Sequence, residues 1–103
     1  MFIARWSVDV RFGHKDAFTA HLKKWHKEIG ESLGWKIRVL TGSIGANESR
    51  FEMELPTETL DGLDKAWAKM SASEAHKRLG RECEPLVVSG TNRWEVLRIV
   101  DMS

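Results

Sequence analysis

Phe2-Ile3-Ala4-Arg5-Trp6-Ser7-Val8-Asp9-Val10-Arg11-Phe12 alternates between apolar and mostly polar side chains for eleven residues. Phe2, Ala4, Trp6, Val8, Val10 and Phe12 take one face; Ile3, Arg5, Ser7, Asp9 and Arg11 take the other. A period of two over this length reads as one long strand with a buried face and a wetter one. Gly13 ends it. The residues beyond Gly13 must supply the cover for the apolar face.

The next stretch changes period. Phe18, Leu22, Trp25 and Ile29 recur at helical spacing, Asp16 is placed to cap the helix, and Gly30 and Gly34 bracket its end. His21 lies beside that stripe. Alternation returns over residues 35–44, with Trp35, Ile37 and Val39 opposite Lys36, Arg38 and Leu40. Gly45-Ala46-Asn47 reads as a hairpin turn, and Arg50 to Leu55 as the return strand, closed by Pro56. Thr57 or Thr59 then caps a second helix with the stripe Leu60, Leu63, Trp67 and Met70. Ser71 and Ser73 interrupt it. A shorter helix from about Glu74 carries Ala75, Leu79 and Cys83 as far as Pro85. Gly90-Thr91-Asn92 turns the chain into a last strand, Arg93 to Val100.

Strand, helix, strand, strand, helix, strand is the split β-α-β order of the ferredoxin-like fold, an α+β architecture. Right-handed crossovers predict a four-stranded antiparallel sheet in the order 4-1-3-2. Residues 1–103 read as a single domain, with no linker, repeat or low-complexity tract. A chain of 103 residues buries roughly two thirds of its unfolded surface, enough for one core. At 42% hydrophobic and 30% charged residues, the composition excludes a membrane protein and a largely disordered one. Lys and Arg number 16 against 15 acids, so no charge excess points to nucleic acid or a membrane surface. Cys83 has no partner for an internal disulfide, and the start has no secretory pattern, so the expected location is cytoplasmic.

Two helices on one face of a sheet leave the other face open. That face carries Arg5, Asp9, Arg11, Glu52 and Glu54, whose opposite charges can pair across strands. Ile3, Leu40, Ile44 and one register of Leu97 and Ile99 would add apolar area to it. It can stand as a solvated, salt-bridged surface, or it can meet a second copy in a two-fold pairing.

With these features the chain resembles the dimeric α/β-barrel superfamily, which includes the antibiotic-biosynthesis monooxygenases, the muconolactone isomerases, the stress-responsive barrel proteins and the NIPSNAP-like proteins. The resemblance spans nearly the whole chain. It rests on the long first strand, the Gly13-to-Trp25 stretch, the hairpin at Gly45, Trp67 in the second helix, and Pro85-Leu86-Val87 leading into Gly90-Thr91-Asn92-Arg93-Trp94-Glu95-Val96. It implies a homodimer and, in several members, a small aromatic ligand held between helices and sheet. It also implies chemistry without metal or organic cofactor in the monooxygenase members. Those commonly use a Tyr, and this chain has none.

The residues themselves offer few catalytic patterns. His14, His21, His26 and His76 have no mutual spacing typical of a zinc site, so no metal is expected. No nucleophile elbow, phosphate loop or zinc-protease motif is present, and no cofactor is expected. Cys83 has only His76, seven residues earlier, as a candidate base, and reads better as a buried structural thiol. The strongest constellation is a candidate ligand site of Trp6, His21, Trp25, Trp67 and His76 in the gap between helices and sheet. His21 is its candidate catalytic base. The same aromatic stripes also suit a plain filled core. Three functions remain open: a protein binding a small aromatic or apolar ligand, a cofactor-independent monooxygenase or isomerase acting on a small aromatic or lactone substrate, or a structural dimer without a ligand.

Overall fold

The computed structural model describes all residues, Met1–Ser103. β1 (Phe2–Asp9) lies inside the sheet and is followed by α1 (Lys15–Trp25), β2 (Arg38–Thr41), β3 (Arg50–Thr57), α2 (Leu60–Ala72), α3 (Glu74–Cys83) and β4 (Arg93–Arg98). The sheet is antiparallel throughout, in the order β2-β3-β1-β4. This is the ferredoxin-like order expected from the sequence, with the second helical region divided in two.

The division has a clear cause. Ser73 leaves the helical conformation, and its hydroxyl accepts from the His76 N–H, so one side chain ends α2 and caps α3. Thr59 caps α2 in the same way, accepting from the Gly62 N–H at 3.0 Å. The start of α1 differs from expectation. Gly13, at φ 85°, reverses the chain, and His14 takes the cap position without a side-chain bond. Asp16 is displaced into the first turn, where its charge faces the positive end of the helix dipole. Beyond Trp25 the helix widens into a single π turn, His26–Gly30. A side chain at Gly30 would meet His26 Nδ1 at 2.6 Å, so the His26 ring would have to move to admit one.

Even-numbered residues of β1 face the helices. Ala4, Trp25, Ile29, Met53, Leu55, Leu63 and Leu79 form one buried cluster, and Val8, Val10, Phe18, Leu22 and Phe51 a second; Trp6 packs against both. Several expected contributors lie elsewhere. Phe12 is fully exposed, because β1 ends at Asp9 and only the isolated bridge between Val10 and Val87 continues it. Leu60, in the first turn of α2, is about half exposed. β2 is four residues long, not ten, and Trp35 and Ile37 pack on the core from outside any strand. Pro56 does not close β3 but sits within it, opposite Ile3 and beyond the last residue paired with β2. There its missing N–H costs no ladder bond.

The opposite face of the sheet carries no helix. Glu54 is buried on it, with its side chain only 6% exposed, because Arg5 and Arg38 close over it. Both guanidinium groups donate to its carboxylate, which they hold below the usual carboxylate range. Arg5 also reaches Glu52, and its own pKa is raised chiefly by its bond to Glu54. Leu97 lies opposite Ile3, so Leu97 joins this face. Ile44 does not: it stands in the hairpin loop, fully exposed.

Candidate functional site

Three residues opposite one another make the floor of a pocket. Trp6 on β1 faces Met53 on β3 and Trp94 on β4, all on the helix side of the sheet. α1 contributes His21, Leu22 and Trp25; His21 and Trp25, four residues apart, fall on one helix face. α3 contributes His76, Gly80 and Cys83, at the spacing of one stripe, and Met70 and Asn92 complete the lining. The pocket encloses about 300 Å³, within reach of the usual lower range for a small-molecule site. Two ion pairs, Lys24–Glu82 and Arg78–Glu28, tie α1 and its π turn to α3 above it.

Four of the five residues singled out from sequence, Trp6, His21, Trp25 and His76, therefore line one pocket. Trp67 does not. Its ring meets the Trp94 ring edge-on at 5.3 Å between centroids, so Trp67 backs the wall and Trp94 forms it. Trp94 escaped the sequence reading because alternation alone left the β4 register open. Only pairing with β1 sets it opposite Trp6. Met53 and Leu22 were legible as inward-facing, but not as lining space. Gly80 lines the pocket because it has no side chain to fill it, and a Cβ there would meet nothing within 4 Å.

The electrostatics of the pocket are those of a neutral site. No Asp, Glu, Lys or Arg lines it. Burial pushes the His21 pKa down, and Lys24 adds a smaller push in that direction against an opposing one from Glu82. Burial alone lowers His76 and raises the Cys83 thiol. At neutral pH both imidazoles are uncharged and the thiol keeps its proton. Cys83 is half-buried and unactivated, where the sequence reading expected a buried structural thiol. The Trp25 Nε1–H donates to His76 Nδ1 at 3.1 Å, and the two rings meet edge-on. His21 stacks on Phe18 at 6.4 Å. His21, His76 and Cys83 share the pocket but do not come together as a set of metal donors. His14 and His26 lie outside it.

A second, larger cleft of about 440 Å³ opens among the loops around Arg11, Gly13, Lys15 and Asn47. Seven of its nine lining residues are polar, charged or glycine, and none is His or Cys.

The same fold occurs in solved structures of other proteins. A NIPSNAP family protein of unknown function from Agrobacterium tumefaciens superposes with a TM-score of 0.85 at 16% identity, covering 100% of this chain and 91% of that one. An uncharacterised NIPSNAP-like domain protein from Burkholderia xenovorans gives 0.85 at 16% identity, covering 99% of this chain and 87% of that one. A putative antibiotic biosynthesis monooxygenase from Nitrosomonas europaea gives 0.71 at 10% identity, over 98% and 100% of the two chains. The chain has the fold shared by NIPSNAP-family and antibiotic biosynthesis monooxygenase-like proteins. At these identities the likeness extends to the fold alone. No protein-family model matches the sequence, and no curated protein does.

Proposed function

We propose that this chain binds a small aromatic or apolar molecule in the pocket between helices and sheet, as one half of a homodimer formed through the open sheet face. The observation that carries the reading is a pocket of about 300 Å³ with three Trp and two uncharged His on its walls. Aromatic walls supply dispersion and stacking, and the few polar groups orient the ligand. Trp6, Trp25 and Trp94 also provide the readout. Titration with a small aromatic compound should quench Trp fluorescence saturably, and His21→Ala should weaken that binding while leaving the fold intact. Absence of saturable quenching by a panel of such compounds would favour a structural dimer without a ligand. The unpaired Cys83 suits a reducing compartment, in keeping with a cytoplasmic protein.

A second reading is favoured by one feature, an uncharged imidazole at His21 facing the pocket. A free base there can take a proton from a ligand carbon next to a carbonyl, leaving the electron pair delocalised onto that carbonyl oxygen. Return of the proton to another position is an isomerisation that needs no cofactor. The proton abstraction is the first step open to an isomerase or a cofactor-independent monooxygenase on an aromatic or lactone substrate. Here His21→Ala would cut turnover by roughly 10²–10⁴-fold, as loss of a general base does.

A further inference from the structure

The pocket holds one polar group whose hydrogen-bonding sense is decided by its neighbour. An indole N–H can only donate, so the ring nitrogen it touches must carry a lone pair. Trp25 Nε1 touches His76 Nδ1 at 3.1 Å. The imidazole is uncharged, so its single proton is on Nε2. That nitrogen bonds to no protein group and is not sealed inside the protein, while the ring lines the pocket. His76 therefore carries one fixed donor, on a ring that lines a space without a charged side chain.

We propose that His76 is the specificity-determining residue of this pocket, selecting neutral aromatic ketones over hydrocarbons of the same shape and over carboxylates, and that Trp25 is its positioning residue. The inference rests on the ligand-binding reading above. A ketone oxygen accepts from Nε2–H and brings no charge to desolvate. A hydrocarbon leaves Nε2–H unpaired on binding. A carboxylate must give up its water without meeting a cation.

The test uses the whole protein and three probes: benzophenone, diphenylmethane and diphenylacetate. The first two differ only where a carbonyl replaces a methylene. Benzophenone should quench Trp fluorescence with an affinity about 3- to 10-fold above that of diphenylmethane, the ratio set by one net hydrogen bond. Diphenylacetate should bind weakest. An Asn side chain ends where Nδ1 sits, and a Gln side chain reaches the place of Nε2. His76→Asn should thus keep the contact with Trp25 and lose the preference, while His76→Gln should retain it. Nitrogen-15 shifts of the His76 ring, measured without ligand, should report Nε2 protonated in the wild type and a mixture of tautomers in Trp25→Phe. Equal affinities for benzophenone and diphenylmethane, or a protonated Nδ1, overturn the role of His76 and leave the pocket standing. No saturable binding of any probe overturns both readings.

Discussion

Trp67 lies edge-on against Trp94, at 5.3 Å and 64° between the ring planes, with Trp94 alone on the pocket side. The two come from α2 and β4, elements distant in sequence. Their contact links the packing of the core to the shape of the pocket. Trp25, 7% exposed, stands in the other wall and touches Trp35 at 6.0 Å as well as His76.

Trp25 and Trp67 should respond differently to truncation. Trp25→Ala removes a nearly buried ring and should cost about 3–5 kcal/mol by chemical denaturation. Trp67→Ala removes a partly buried ring and should cost about 2–3 kcal/mol, less than Trp25→Ala. It should also weaken ligand binding without touching the ligand, because Trp94 loses its backing. A loss below about 1 kcal/mol at both positions would show that neither packs as described.

Gly80 separates pocket from helix stability. A glycine inside a helix costs roughly 0.5–1 kcal/mol relative to Ala, and nothing lies within 4 Å of a Cβ added there. Gly80→Ala should therefore raise the unfolding free energy by about that amount. Gly80→Leu should project into the pocket and suppress quenching by aromatic compounds. Unchanged quenching by Gly80→Leu would place the binding site elsewhere.

Acid should destabilise the protein in two stages. Burial holds His21 and His76 below their ordinary 6.5 in the folded state. As pH falls below about 6.5 the unfolded chain takes up these protons first, and stability declines until the folded-state values are passed. Glu54 is displaced in the same direction from its ordinary 4.5, chiefly by its bonds to Arg38 and Arg5. A second decline should begin below about 4.5. The Glu54 ion pairs lie on an outer face under two side chains, so their worth is moderate. Glu54→Gln should cost about 1–3 kcal/mol at neutral pH and flatten the second stage. Denaturant unfolding at pH 8, 6 and 4 would check this, and stability that rises from pH 8 to pH 4 would refute it.

The open sheet face should pair. Ile3 and Leu97 lie opposite each other on it, beside the Arg5–Glu54–Arg38 cluster. Light scattering at micromolar concentration should give about twice the chain mass of 11.8 kDa. Leu97→Lys, by placing an unpaired charge on that face, should shift the protein towards monomer. A wild-type mass near that of one chain would leave a solvated, salt-bridged sheet instead.

Cys83 should be a slow thiol. Burial raises its pKa above the ordinary 9, so little thiolate forms at neutral pH. Reaction with a disulfide reagent at pH 8 should run slower than for a free peptide thiol and slow further when an aromatic ligand fills the pocket. Ligand-independent reactivity would mean that Cys83 is reached from another side.

The order of elements, the sheet order and the inward faces of β1 and α1 were all legible in the sequence. They follow from local rules: a period of two, a period near four, and turn residues between them. The same rules placed Trp6, His21, Trp25 and His76 towards one gap. They failed where a choice depended on another element. Phe12 continues the alternation of β1 but has no partner strand beside it, so it is exposed. Trp67 was expected in the wall, but the β4 register sets Trp94 opposite Trp6 and leaves Trp67 behind it. The proton of His76 could sit on either nitrogen until folding brought Trp25, 51 residues away, to Nδ1. Periodicity reports which way a side chain points relative to its own backbone; what it meets, and whether that space is filled, is decided only when the elements pack.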